Sequence, residues 1–104
     1  MSGRPPARLA GVEASFPIHR LDQRVAREAA ARLFGGSLPG LERLLAVYDH
    51  AGIRTRYCCM PLDWYLEGAG FAERNRLFVE HAERLLADAA GRLLRRLGLG
   101  PRDV

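Results

Sequence analysis

The stretch that decides the fold reads Leu41-Glu-Arg-Leu-Leu-Ala-Val-Tyr-Asp-His-Ala-Gly-Ile-Arg-Thr-Arg-Tyr57, then Cys58-Cys-Met-Pro-Leu-Asp-Trp-Tyr65, then Leu66-Glu-Gly-Ala-Gly-Phe-Ala-Glu-Arg-Asn-Arg-Leu-Phe78. Leu41, Leu44, Leu45 and Tyr48 recur at helical spacing and mark one face of a helix. Gly52 is placed as its left-handed stop. Ile53 to Met60, rich in β-branched and aromatic residues, reads as extended. Pro61 to Gly70 reads as a loop whose Trp64 and Tyr65 pack back on the body.

Outward from this unit the patterns are simpler. Phe71 to Leu97 is expected as one long helix, with Phe78, Ala82, Leu85, Ala89, Leu93 and Leu97 as its apolar stripe. Leu86, Ala90 and Leu94 widen that stripe, and Glu80 and Arg84 pair on the wet side. Arg92, Arg95 and Arg96 suit the negative end of the helix dipole. Gly98, Gly100 and Pro101 stop the helix, and Pro101 to Val104 reads as the lead into another strand. Upstream, Met1 to Ala7 is expected as a disordered lead, and residues 8–104 as one partial domain. Arg8 to Pro17 alternates and is expected as a strand ended by its proline. Leu21 to Phe34 is expected as a helix with Asp22 in its first turn, ended by Gly35-Gly36. Ser37 to Gly40 is expected to turn into the next helix, with Pro39 at a first helical position. The class is therefore α/β, mainly helical with short strands.

The bulk numbers bound the answer. A chain of 104 residues is at most one domain and buries a modest core. Its 48% hydrophobic and 27% charged content is that of a globular protein, and no apolar run approaches the roughly 20 residues of a membrane span. No signal peptide is legible, and adjacent Cys58 and Cys59 offer no disulfide framework, so a reduced, cytoplasmic setting is the expectation. All 16 basic residues are arginines, and the net charge is +4. They alternate with Asp and Glu along the chain, as on solvated helix faces, which weighs against a nucleic-acid-binding surface.

Few residues carry chemistry on their own. Cys58-Cys59 lies in an expected strand, away from the helix start or basic partner that activates a nucleophilic thiol. With His19, His50 and His81 scattered, no metal spacing forms. There is no Gly-x-Gly-x-x-Gly run and no phosphate-cradling loop. Arg43 and His50, on the helix before Gly52, could present cationic or donor groups to an anion.

In combination, these segments resemble the N-terminal part of type III polyketide synthases, the chalcone and stilbene synthase family. The likeness runs from the expected strand Leu9 to Pro17 through Ala51-Gly-Ile-Arg-Thr-Arg-Tyr57 and Pro61-Leu-Asp-Trp-Tyr65. It continues through Gly70-Phe-Ala-Glu-Arg-Asn75 to Leu97-Gly-Leu-Gly-Pro-Arg-Asp-Val104. The glycine-isoleucine turn is shared with ketoacyl-carrier-protein synthases primed by coenzyme A. A tryptophan at the Ala46 position would favour that branch, and the chain has alanine there.

The resemblance implies the front of a thiolase-like αβαβα fold, a homodimer when complete. It implies acyltransfer from an acyl-CoA starter onto a cysteine, then condensation with malonyl-CoA, with a histidine and an asparagine stabilising developing charge. It implies no metal and no permanently bound cofactor; the coenzyme A thioesters are substrates, and neither nucleic acid nor membrane is a partner. The family's nucleophile would fall beyond Val104, so no catalytic residue is expected among residues 1–104, and the isolated chain is expected to be inactive and marginally stable. The coenzyme A phosphates would meet the helix before the turn: Arg43 keeps one basic position, His50 a pH-dependent one, Ala46 has lost a third, and Arg54 lies just past the turn. A non-catalytic subunit that pairs with a complete synthase is the alternative from another class.

Overall fold

A computed structural model describes residues 3–104. Met1 and Ser2, the start of the expected lead, lie outside the described residues. The element order is β1 (His19–Asp22), α1 (Gln23–Phe34), α2 (Leu41–His50), β2 (Thr55–Cys58), α3 (Leu62–Glu67) and α4 (Phe71–Leu97), followed by a 3-10 turn at Pro101–Asp103. This is a mixed helical structure with one two-stranded sheet.

The sheet is antiparallel, with His19 opposite Cys58, Arg20 opposite Tyr57, Leu21 opposite Arg56 and Asp22 opposite Thr55. Pairing corrects two expectations. Leu21 belongs to β1 rather than to α1, and Asp22 is the cap of α1, its carboxylate accepting from the Arg24 amide at 2.8 Å. Arg8 to Pro17 is not a strand, because no ladder partner lies beside it. It is an extended strap along α4.

Geometry fixes the strap. Val12 meets Arg96 and Ser15 meets Asp88. Three steps of extended chain (about 10 Å) thus run antiparallel to eight residues of helix (about 12 Å). Gly11, Glu13, Ser15 and Pro17 are half-buried, while Val12, Ala14 and Phe16 are exposed. A Cβ on Gly11 would sit 3.0 Å from a Leu93 methyl, so the strap lies close against α4 there and a larger residue would require Leu93 to shift.

The long helix spans the residues its periodicity predicts, Phe71–Leu97, and Gly98 closes it at φ +67°. Arg76 and Arg84 both pair with Glu80, at 3.3 and 3.2 Å. Leu85, Leu93 and Leu97 are half-buried, but Leu86 and Phe78 are each 70% exposed. Three further expectations fail locally. Pro61–Gly70 contains the short helix α3, started by Pro61, whose carbonyl accepts from the Trp64 amide at 3.1 Å. Pro101–Asp103 is a 3-10 turn, because Asp103 turns back to accept from the Gly100 amide at 2.7 Å. Pro39 precedes α2 rather than opening it; Gly40, at φ +75°, makes the turn.

The buried core is small: Ala26 and Ala29 of α1, Leu45 of α2, and the polar Gln23. The buried alanines lie on α1 and the buried leucine on α2, the helix packed against it. Among the described residues no helix is long and apolar enough to cross a membrane.

Candidate functional site

Gln23 organises the end of α2 and the start of β2. It is 8% exposed, and each of its polar groups is used. Its backbone amide donates to the Arg54 carbonyl at 2.9 Å. Its side-chain amide donates to the Tyr48 carbonyl at 3.0 Å and accepts from Arg56 Nε at 2.7 Å. The Arg56 guanidinium also lies 5.2 Å over the Tyr48 ring. One buried residue therefore fixes the helix end, the turn and the strand against one another. A buried amide left without these partners would cost about 1–3 kcal/mol.

Between the fixed points, Gly52 adopts φ +70° and reverses the chain, as its position predicts. The three predicted site residues stand around this turn. Arg43 lies in the first turn of α2 and His50 at its last position. Seven residues apart, they share one face about 10 Å long. Arg54 follows the turn, ahead of Thr55 in β2. All three side chains are exposed, and none joins an ion pair among the described residues. Asp49, the residue before His50, pairs instead with Arg27 Nε at 3.7 Å. The structure thus puts Arg43 and His50 on one wet face with Arg54 beyond the turn; it does not bring the three into contact. Such an edge can bind an extended anion through solvent-facing donors.

The other candidates separate. Cys58 and Cys59 are both free and half-buried. Cys59 lines a groove of about 220 Å³ with Met60, Trp64, Tyr65 and Phe78. There the Tyr65 hydroxyl accepts from the Met60 amide at 3.5 Å, and burial raises its pKa above the ordinary phenol value. Trp64 stacks edge-on against Tyr65 at 4.9 Å and donates to Glu73, so the pair packs on the start of α4 as predicted. Among the described residues no three His, Cys, Asp or Glu side chains gather as a metal site. Sequence reasoning missed Gln23. Its signal was faint: a glutamine immediately after a capping aspartate, three residues before Ala26 on the same face.

A curated protein of Bacillus subtilis (strain 168), described as "Putative chalcone synthase", is 31% identical to this chain over 72 residues. Those residues are 69% of this chain and 20% of that protein, so the chain spans about a fifth of the length of the relative it matches. No family model matches the chain, and no solved structure matches it. The likeness to a protein bearing a chalcone synthase name is partial and distant.

Proposed function

We propose that this chain is the N-terminal portion of a type III polyketide synthase, and that the edge around Gly52 meets the phosphates of its coenzyme A thioester substrates. The complete enzyme would be a thiolase-like homodimer. It would load an acyl group from a starter acyl-CoA onto a cysteine and extend it with malonyl-CoA. The nucleophile and the oxyanion-stabilising groups belong to sequence beyond residue 104, and residues 1–104 alone are inactive.

The observation that carries this reading is the α2–Gly52–β2 unit. It combines the likeness to the Bacillus subtilis relative with Arg43 and His50 on one exposed face. In this reading Arg43 gives a permanent charge, His50 an imidazole hydrogen-bond donor, and Arg54 a second guanidinium past the turn. The Gln23 hydrogen bonds hold the end of α2 and the start of β2, on either side of the turn, against α1. No metal is required.

The test is Arg43→Ala in the enzyme of which this chain forms the front. A phosphate contact predicts an apparent KM for acyl-CoA raised about tenfold with kcat little changed. An unchanged KM would leave Arg43 as a solvated helix residue and remove coenzyme A from this edge.

A further inference from the structure

Both α2 and α4 are followed by a left-handed glycine, yet the two helices close differently. After α4, Gly98 sits at φ +67°; its amide donates to the Arg95 carbonyl at 3.2 Å, and the Leu99 amide donates to the Leu94 carbonyl at 2.9 Å. The last turn of α4 is thereby closed by its own backbone. After α2, Gly52 takes nearly the same φ, +70°. Among the described residues, however, neither its amide nor that of Ile53 donates to a backbone carbonyl. Ala51 reaches the Val47 carbonyl at 2.9 Å, and the next carbonyl, that of Tyr48, is left for a side chain.

Gln23 supplies that side chain. Its Nε2 donates to the Tyr48 carbonyl at 3.0 Å across 25 residues of sequence, and its backbone amide holds the Arg54 carbonyl at 2.9 Å. The two carbonyls flank the turn, one just ahead of Asp49 and His50, the other on Arg54 itself. Its Oε1 takes Arg56 Nε at 2.7 Å and so ties the strand as well. One turn further along α1, Arg27 holds Asp49 at 3.7 Å. The direction in which α2 hands over to β2 is therefore set from α1, not by the turn. Gln23 is buried, so water does not take its place when it is removed.

We propose that Gln23 is the positioning residue of the anion-binding edge: it touches no phosphate, and it sets His50 against Arg54. The proposal rests on the reading of that edge as the coenzyme A contact. It adds to the edge an uncharged residue from another helix. An imidazole at a helix end and a guanidinium beyond a turn meet one extended anion together only over a narrow range of spacings. A turn that its own backbone does not close would present them over a wide range, and the ordering would then be lost from binding. The acyl carbon lies far from the phosphates of its carrier, so the loss falls on binding and not on the chemical step.

The experiment uses the complete enzyme and two acyl donors: the acyl-CoA, and the same acyl group on N-acetylcysteamine, a thioester without phosphate. Gln23→Leu should raise the KM for acyl-CoA about fivefold with kcat little changed. It should leave kcat/KM for the phosphate-free thioester unchanged, which also shows that the variant is folded. Gln23→Glu keeps an acceptor for Arg56 but has no donor for the Tyr48 carbonyl, and should raise KM as much. With His50 and Arg54 both replaced by alanine, Gln23→Leu should add less than about twofold, because Gln23 acts through them. Equal losses on both thioesters in both variants would make Gln23 a structural residue only and overturn the proposal. So would a rise that persists without His50 and Arg54, or no rise while Arg43→Ala raises KM; in these cases the coenzyme A reading stands. If Arg43→Ala and the paired His50 and Arg54 replacements all leave KM unchanged, that reading falls and takes the proposal with it.

Discussion

The Arg96 guanidinium donates to the Val12 carbonyl at 2.7 Å, across 84 residues of sequence. Arg92 does the same for Ala14 and also pairs with Glu13 and Asp88, so two turns of α4 grip four consecutive strap residues. Charge, rather than a ladder, holds this extended segment in place.

Arg92→Ala should therefore free the strap before it unfolds the chain. The ion pairs are partly exposed, so the global cost is small, about 1 kcal/mol. The local effect is larger. Limited proteolysis should cut at Phe16 several-fold faster than in the parent, while cleavage within α1 stays unchanged. Equal acceleration at both places would mean that the strap and the α1–α2 pair open together.

The clip also has a pH dependence. Asp88 is held below its ordinary pKa of 3.8, first by its hydrogen bond from Arg92 and then by that from Ser15. A carboxylate depressed in the folded state stabilises it above the unfolded pKa, and that contribution disappears as pH falls through the folded value. Strap protection, read by hydrogen exchange or proteolysis, should be steady above about pH 4 and fall below it. Asp88→Asn should weaken protection at neutral pH and flatten this acid limb. A limb unchanged in Asp88→Asn would show that Asp88 is not its source.

Gln23→Leu tests the buried amide. It removes the side-chain bonds to the Tyr48 carbonyl and to Arg56 Nε and should cost about 2 kcal/mol of stability, read as a lower denaturant midpoint. Arg56→Ala removes one of these bonds and a cation–ring contact and should cost about half as much. Similar costs for the two variants would mean that the bond to Tyr48 contributes little.

Gly52→Ala forces a side chain into the left-handed region and should cost about 1 kcal/mol. Gly36→Ala, where a Cβ meets open space and φ is ordinary, should be neutral or slightly stabilising. A difference below a few tenths of a kcal/mol between them would show that the turn adapts.

The sequence was most legible where one local rule decided the outcome. The limits of α4 followed from its apolar period and from Gly98, and the stop at Gly52 from glycine alone. It was least legible where distant residues decide. His19–Asp22 has little strand character and forms β1 only because β2 lies beside it, whereas Arg8–Pro17 has the strand pattern and no partner. Arg92 and Arg96 read as charges at a helix end, but their partners lie on the strap. At the candidate site, Arg43 and His50 were legible as basic groups on the helix before Gly52, and Arg54 only through the family resemblance; Gln23, which holds that turn, shows its role only when α1, α2 and β2 meet.

The central claim is that these residues are the front of a condensing enzyme. The most direct measurement is to read the source gene in frame beyond codon 104. The account predicts a continuation with a cysteine at a strand-to-helix turn, followed by a histidine and then an asparagine. A stop codon after Val104, or a continuation lacking that cysteine, would contradict it.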